Sequence, residues 1–395
     1  MNGLIWSPST CDDLVVPATA IAMLRRAIEA DPHSAVPHEK LGSIYVDLHD
    51  FAKAAPCFAA AAALAPERAR TRLRLAYALN VIDRPFEALA EASAVADADP
   101  VVAASAKTQA GIAFRGLARA EDSEAAFRAA LALNPHDRAA LFQLSRDLRR
   151  AARHADDLAL CADVVARGAR HAQVFLSWGR ALIHNGQIER GRALLFDPAR
   201  VTVTQLDMPL GFNAALADDL LRNPFAIGEF PDGEQANRGS QRIHHLMCGA
   251  RPQLARAMLI AIRGAVDAFA ATLEPLGGFD PWAESKPSAA HLHPWGLVQR
   301  NEAFEEWHTH RGGWLSGVYY VKIPERLPPD RGCIEFGPPP SLARGAGNVI
   351  QTRRYPPREG MLILAPSHYH HRTIPSGLNE YRISLAFDVV PDETR

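Results

Sequence analysis

The chain has 395 residues, enough for two or three domains, and its 48% hydrophobic and 22% charged content is typical of a globular protein. Its formal net charge of −1 provides no overall basic field, which argues against binding to nucleic acid or to an anionic membrane. Five scattered cysteines without a CxxC spacing favour free thiols in a reducing compartment over a disulfide framework.

The first residues, "MNGLIWSPSTCDDLVV", contain neither the basic region nor the long apolar core of a signal peptide. No stretch of the chain approaches the roughly 20 apolar residues that a membrane-spanning helix needs. These features predict a cytoplasmic protein that does not contact a membrane.

A repeat with a period of about 34 residues dominates the first half of the sequence. Prolines recur at Pro32, Pro66, Pro100 and Pro135, spaced 34, 34 and 35 residues apart, with two alanine-rich helical patterns in each interval. Small residues at matching positions would let the two helices of a hairpin approach closely, while large ones fill the seam and the proline ends the second helix. A generic alanine-rich helical bundle would not predict a fixed period.

This pattern resembles the tetratricopeptide repeat, with about five repeats over residues 15–198, of which the first and fourth are degenerate. The resemblance implies an all-α superhelix in a domain spanning residues 1–198 that binds a protein or peptide. Basic side chains could line its concave surface, although most are better explained as solvated helix positions: Arg72, Arg74, Arg115, Arg146 and Arg149.

The pattern changes near residue 199, and residues 199–395 form the second predicted domain. Helical segments are predicted at 212–222 and 251–274, and from residue 291 the chain reads as short strands separated by turns. Turn signals at intervals of roughly 8–15 residues favour an antiparallel sandwich or jelly roll with flanking helices. The strand candidates are "LHPWGLVQRN", "GWLSGVYYVKIP", "GCIEFG", "NVIQTRRYPP", "GMLILAPS" and "YRISLAFDVV".

Histidines in this second half have the spacing of metal ligands. In "EEWHTHRGG", His308 and His310 would share one face of a strand and could converge on one ion. A third ligand is expected from "PSHYHHRTIP", where at most one of three histidines should bind. Eleven residues after His371, "YRISLAF" places Arg382 and Ser384 on one face of another strand.

In this order, "HTHRGGWLSGVYYVKIP", "GMLILAPSHYHHRTIP" and "YRISLAFDV" resemble the iron(II)- and 2-oxoglutarate-dependent oxygenases of the double-stranded β-helix fold, over residues 205–391 and most strongly over 297–388. The resemblance implies that His308 and His371 bind iron(II). It also implies that Arg382 binds the distal carboxylate of 2-oxoglutarate, to which Ser384 and Tyr320 could add hydroxyl groups.

The sequence departs from the family pattern at His310, where the usual triad of two histidines and one carboxylate has Asp or Glu. Three interpretations remain open: His310 is itself a ligand, a carboxylate comes from Glu305 or Glu306, or the site is inactive. We favour His310 as a ligand because its side chain would lie on the same face as His308. Imidazoles also suit zinc and copper, so metal identity is less determined than metal binding.

Three functions are consistent with these sequence features. The leading hypothesis is an oxygenase, hydroxylating by default, that uses iron(II), 2-oxoglutarate and O2, with the repeats recruiting a protein or peptide substrate or partner. The second is a scaffold with an inactive jelly roll. The third is a cupin-like three-histidine metal enzyme that does not use 2-oxoglutarate, against which Arg382 argues because a buried arginine needs an anion. The remaining histidines of this half are more easily explained as structural: His244, His245, His291 and His293.

Overall fold

The computed structural model describes residues 4–9, 17–95, 99–228, 236–275, 279–339 and 351–392. The chain divides into two compact units, one of residues 15–169 and the other of residues 1–14 together with 170–395. The last helical pair of the repeat pattern therefore lies in the same compact unit as the strands. The domain boundary at residues 198 and 199 describes where the sequence pattern changes, and it stays a prediction.

The unit of residues 15–169 is built from helices that pair in antiparallel hairpins. The helices in chain order are α1 (Pro17–Ala30), α2 (Ala35–Asp47), α3 (Phe51–Leu64), α4 (Ala69–Val81), α5 (Pro85–Ser93), α6 (Pro100–Gly116), α7 (Ala120–Leu133), α8 (Arg138–Arg150) and α9 (His154–Ala166). The predicted all-α repeat region is confirmed.

The 34-residue period appears in the backbone as well as in the sequence. The turn inside each successive hairpin contains one residue with a left-handed conformation, at His49, Asp83, Ala118 and Ala152, with φ between 56° and 58°. Two repeats apart, Gly42 and Gly111 face large rings across the hairpin seam, as the small-residue pattern predicts. A Cβ atom at Gly111 would lie 2.6 Å from the Phe127 ring, so the two helices approach too closely for any larger residue.

One predicted helix end is wrong. Pro100 does not stop the second helix of its repeat, because α5 already ends at Ser93. Pro100 instead occupies the first turn of α6, after the capping carboxylate of Asp99, which accepts from the backbone N–H groups of Val101 and Val102. Proline fits there because the first N–H groups of a helix have no partner within the helix.

The other unit combines helices with a curled β-structure. Its helices are α10 (Ala172–His184), α11 (Ile188–Leu195), α12 (Phe212–Leu221) and α13 (Pro252–Ala271). Its strands are β1 (Ile5–Trp6), β2 (Thr202–Gln205), β3 (Ala226–Ile227), β4 (Asn237–Arg238), β5 (Gln241–Ile243), β6 (Ala289–Asn301), β7 (Phe304–Glu305), β8 (Leu315–Lys322), β9 (Ile334–Phe336), β10 (Arg353–Tyr355), β11 (Met361–Pro366), β12 (His371–Thr373) and β13 (Leu378–Pro391).

The major sheet has the strand order β2-β11-β8-β13-β6-β5-β3, and β1 joins β6 in parallel. A three-stranded sheet, β10-β9-β12, and a two-stranded sheet, β4-β7, complete the β-structure. This arrangement confirms the predicted jelly roll of the double-stranded β-helix type. The candidate strand "NVIQTRRYPP" begins outside the described residues, and its described part forms β10 from Arg353.

A single core connects the two sheets and the last helical hairpin. Val318, Tyr320 and Ile363 of the major sheet pack with Phe336 of β9, and α10 and α11 contribute further apolar residues, Leu176, Ile183 and Leu195. The buried strands therefore fix the position of β9, β12 and their connections over the major sheet. No helix among the described residues has the length and apolar character required to cross a membrane.

Candidate metal centre

The two histidines of the "HTH" motif lie in an extended segment between β7 and β8. The sequence predicted a strand through these histidines, but neither of them belongs to a named strand, because β8 begins only at Leu315. The segment is nevertheless paired: His308 and His371 exchange two backbone hydrogen bonds of 3.0 Å, and the N–H of His310 donates to the Ser367 carbonyl at 2.9 Å. This pairing places both histidines beside the third one.

The three imidazoles converge as expected. The ligating nitrogens of His308, His310 and His371 all lie within 4.8 Å of one another. The Nε2 atoms of His310 and His371 are 3.2 Å apart. Nitrogens bound to one ion at about 2.1 Å are separated by about 3 Å, so the spacing fits a shared metal.

Each ring is oriented by a hydrogen bond to its other nitrogen. Nδ1 of His308 lies 2.7 Å from the Glu306 carbonyl, and Nδ1 of His371 lies 3.1 Å from the Tyr369 carbonyl. Carbonyl oxygens only accept, so both Nδ1 atoms carry the proton and both Nε2 lone pairs point into the site. The Nε2 atom of His371 also lies 3.2 Å from that of His310, a distance at which two lone pairs would repel unless a cation or a proton lay between them.

Burial keeps two of these rings neutral. Desolvation, with a smaller contribution from His310, lowers the pKa of His308 to about 3. Desolvation and the neighbouring His308 and His310 lower the pKa of His371 well below its usual value. Both imidazoles are therefore unprotonated at neutral pH, which is the form that binds metals.

A carboxylate that the sequence interpretation missed holds the third ring. Asp388 Oδ1 of β13 lies 2.8 Å from Nδ1 of His310 and accepts a 2.6 Å hydrogen bond from Ser316 Oγ. Burial alone would raise the pKa of Asp388, but the charge and hydrogen bond of His310, with the bond from Ser316, lower it. The carboxylate thus sits behind His310 and not in its place. The available signal was its position six residues after Arg382, on the same face of one strand.

Arg382 is buried in the same β13 strand with its side chain only partly satisfied. It is 3% exposed, and its guanidinium donates to Gln299 Oε1 at 3.0 Å and to the Tyr320 hydroxyl at 3.3 Å. Its Nε has no hydrogen-bond partner, and no carboxylate among the described residues forms a salt bridge with it. Buried cations ordinarily have an anionic partner, so this environment fits a bound carboxylate.

One cavity contains both the imidazole cluster and Arg382. Ser384 is buried in its wall, and Tyr320 reaches Arg382 through its hydroxyl, so all six predicted site residues belong to one region. Trp295 stacks on His310 with ring centroids 5.4 Å apart. Apolar side chains form much of the remaining wall: Leu297, Val318, Ile334, Phe336 and Ile363.

Residues 293–388, which include every residue described so far in the cluster, match the family model described as "Putative 2OG-Fe(II) oxygenase". The C-terminal half carries a domain of this family. The family model spans about a quarter of the chain, and the helical repeats precede it. No curated protein matches the sequence.

Solved structures resemble parts of the chain at low similarity. MamA (residues 41 to end) from Desulfovibrio magneticus RS-1 is 23% identical, with 38% of this chain and 84% of that chain covered and a TM-score of 0.34. PilW, a type IV pilus biogenesis factor, is 22% identical over 45% and 84%, with a TM-score of 0.38. A Pseudomonas putida prolyl-4-hydroxylase is 20% identical over 49% and 93%, with a TM-score of 0.32.

Other candidate ligands of the oxygenase-family domain lie outside the cluster. His368 Nε2 is 2.8 Å from the Leu194 carbonyl, and His370 Nε2 is 3.1 Å from the Arg180 guanidinium. The two alternative carboxylates are each paired with an arginine: Glu305 with Arg242 at 2.8 Å, and Glu306 with Arg238 at 2.9 Å. His291 pairs with Asp392.

Proposed function

We propose that the C-terminal domain is an iron(II)- and 2-oxoglutarate-dependent oxygenase in which His308, His310 and His371 bind the metal. The observation that carries the proposal is the convergence of three imidazole nitrogens in one cavity with a buried arginine whose Nε lacks a partner. Each feature alone has a structural explanation. Together they provide a site for a cation and a site for a carboxylate, which is what a metal-chelating dicarboxylate requires.

The residues have separate tasks. Asp388, Glu306 and Tyr369 orient the three rings through Nδ1, and the apolar wall excludes water from the metal side of the cavity. Arg382 holds the distal carboxylate, with the Tyr320 hydroxyl against its Nη2 and the Ser384 hydroxyl available from the neighbouring wall. When bound, iron(II) and 2-oxoglutarate let O2 place one oxygen atom in a substrate C–H bond and the other in succinate, with release of CO2.

The missing carboxylate ligand does not make the cluster unsuitable for iron. Three neutral imidazoles would leave more positive charge on the metal than a site with one carboxylate. The Asp388 carboxylate compensates in part, because it accepts the Nδ1 proton of His310 and makes that ring a stronger donor. We assign the preceding helical repeats to recruitment of a protein or peptide. This assignment favours a macromolecular substrate, and it is based on the repeat fold alone.

Anaerobic loading tests this proposal. The purified protein is given iron(II) and titrated with 2-oxoglutarate, and we expect a visible charge-transfer band together with slow uncoupled succinate formation. Arg382→Ala should abolish the band because the distal carboxylate loses its partner, whereas Arg300→Ala, an exposed arginine of β6, should leave it unchanged. A protein that binds no iron by elemental analysis would instead be a scaffold.

Metal-ligand variants separate the three-histidine site from its alternatives. His371→Ala should abolish iron binding, and His310→Ala should weaken it severely. Full metal occupancy and turnover in His310→Ala would contradict the ligand set proposed here. Iron binding without any response to 2-oxoglutarate would point to a three-histidine enzyme of the cupin type.

A further inference from the structure

A second buried side chain in the cavity has one atom without a partner, and it has the opposite charge from Arg382. Glu305 of β7 is 2% exposed and lies in the wall of the same cavity as His308, His310 and His371. Its Oε2 accepts a 2.8 Å hydrogen bond from Arg242. Its Oε1 is buried and has no hydrogen-bond partner among the described residues.

The position of Glu305 is fixed by its backbone and by its arginine. The Glu305 N–H donates to Thr373 Oγ1 at 2.7 Å, which joins β7 to β12 two residues after His371. Arg242 of β5 approaches from the major sheet and lies over the Trp295 ring. The carboxylate therefore cannot turn toward solvent without breaking a buried ion pair, a change that strongly destabilises proteins.

The co-substrate cannot satisfy this atom. At neutral pH 2-oxoglutarate carries two carboxylates and a ketone, all of which accept hydrogen bonds and none of which donate. It meets the requirement of Arg382 and would be repelled by Glu305. A buried carboxylate oxygen without a donor is costly, so a ligand that supplies an N–H or O–H group there would be favoured over one that does not.

We infer that Glu305 is a substrate-recognition residue, and that the group oxidised in this cavity neighbours a hydrogen-bond donor such as an amide, amine, guanidine or hydroxyl, and not a carboxylate or phosphate. This inference rests on the proposed function, because it takes the imidazole cluster as the reactive centre. A peptide carrying a basic or amide side chain fits both this chemistry and the repeat region.

Three small probes of similar size test the polarity of the site: methylguanidinium, propionamide and propionate. Each is titrated by calorimetry into the unaltered protein loaded with iron(II) and 2-oxoglutarate under anaerobic conditions, so that the carboxylate site at Arg382 is already filled. We expect saturable binding of methylguanidinium and propionamide and none of propionate. This ranking requires no variant, so it does not depend on how a substitution folds.

A pair of neighbouring variants then locates the effect. Glu305→Gln removes the charge from the buried carboxylate and should weaken methylguanidinium binding by about 10- to 100-fold, the loss expected for a charge-assisted hydrogen bond. Glu302→Gln is the matched control, since Glu302 lies three residues before Glu305, is also paired with an arginine, Arg331, and is exposed. It should bind all three probes as the unaltered protein does.

The outcomes distinguish this inference from the function on which it rests. If 2-oxoglutarate produces its charge-transfer band but propionate binds as tightly as propionamide, or Glu305→Gln binds methylguanidinium normally, Glu305 does not recognise substrate. If no probe binds while the band forms, water satisfies Oε1 and the inference is wrong. If the band never forms, the oxygenase proposal fails, while probe binding by the same protein still decides the role of Glu305.

Discussion

Replacing Asp388 by asparagine tests whether the metal site depends on a carboxylate that does not touch the metal. Asp388→Asn preserves the size of the side chain and leaves an Oδ1 atom that can still accept hydrogen bonds. In the unaltered protein, His310 Nδ1 and Ser316 Oγ lie 2.8 and 2.6 Å from Asp388 Oδ1. The change therefore removes charge without removing the contact. We expect the three imidazoles to remain in place and the metal to bind more weakly.

The size of the effect follows from two contributions. A hydrogen bond to a charged group contributes about 1.5–3 kcal/mol and a neutral one about 0.5–1.5 kcal/mol, so the bond to His310 weakens by about 1 kcal/mol. The buried negative charge also stabilises the nearby dication. Loss of such outer partners costs about 10- to 100-fold in metal affinity, equivalent to about 1.4–2.8 kcal/mol.

Competition with a chromophoric chelator under anaerobic conditions measures the iron(II) dissociation constant of each variant. Asp392→Asn is a closely matched control, because Asp392 also accepts from a histidine Nδ1 at 2.8 Å and from a serine hydroxyl at 2.6 Å, on His291 and Ser7. That pair lies away from the imidazole cluster. An unchanged dissociation constant in Asp388→Asn, or an equal loss in both variants, would refute the reasoning.

Three further changes address the co-substrate, the repeats and the response to acid. Tyr320→Phe should raise the dissociation constant of 2-oxoglutarate about 3- to 10-fold in calorimetry, because it removes the hydroxyl that contacts Arg382. Gly111→Ala should lower the free energy of unfolding by about 1–3 kcal/mol in urea denaturation, because its Cβ would overlap the Phe127 ring. Burial lowers the pKa of His368 to about 4, so its contribution to stability is present above pH 6.5 and is lost as the pH falls toward 4. His368→Gln should therefore reduce the loss of unfolding free energy between pH 7.5 and pH 5 by about 2 kcal/mol.

Each of these changes has a matched control. Tyr319→Phe removes a neighbouring hydroxyl that donates to Asn213, and it should not alter 2-oxoglutarate binding. Gly264→Ala, at a helical glycine with no atom within 4 Å of the added Cβ, should leave stability unchanged or raise it by up to about 1 kcal/mol. His33→Gln, at an exposed histidine, should keep the full loss of stability in acid. A control that behaves like its partner would contradict the corresponding explanation.

Local sequence signals predicted the features that depend on local structure. The 34-residue period is a property of each hairpin, and it reappears as one left-handed residue per turn and as glycines facing aromatic rings. His308 and His310 were identified from their spacing, and Arg382 from its distance to His371. In these cases the chemical requirement itself fixes the residue type, so one sequence is enough to recognise it.

The errors and omissions concern contacts between distant segments. The strand predicted through the "HTH" motif does not form because the chain bends at residues 311–314, where Gly313 passes so close to Ser367 that a side chain would collide with it. Asp388 was missed because its partner lies 78 positions earlier in the chain, and only the strand register brings them together. Glu305 was considered as a metal ligand, but the ion pair with Arg242 of β5 holds it outside the cluster.

The register of β13 specifies both ends of the candidate site. Arg382, Ser384 and Asp388 alternate along one face of this strand, so a slip of one residue would turn all of them out of the cavity. Pairing with β6 and β8 prevents such a slip. The pairing of β13 with β8 skips Val321, and Tyr320 of β8 therefore lies across from Ser384. Arg382 and Asp388 are six residues apart, or about 20 Å along the strand, so neither contacts the other directly. Variants that disturb β13 as a whole should therefore lose metal and 2-oxoglutarate binding together, whereas Asp388→Asn and Arg382→Ala should each impair mainly one of them.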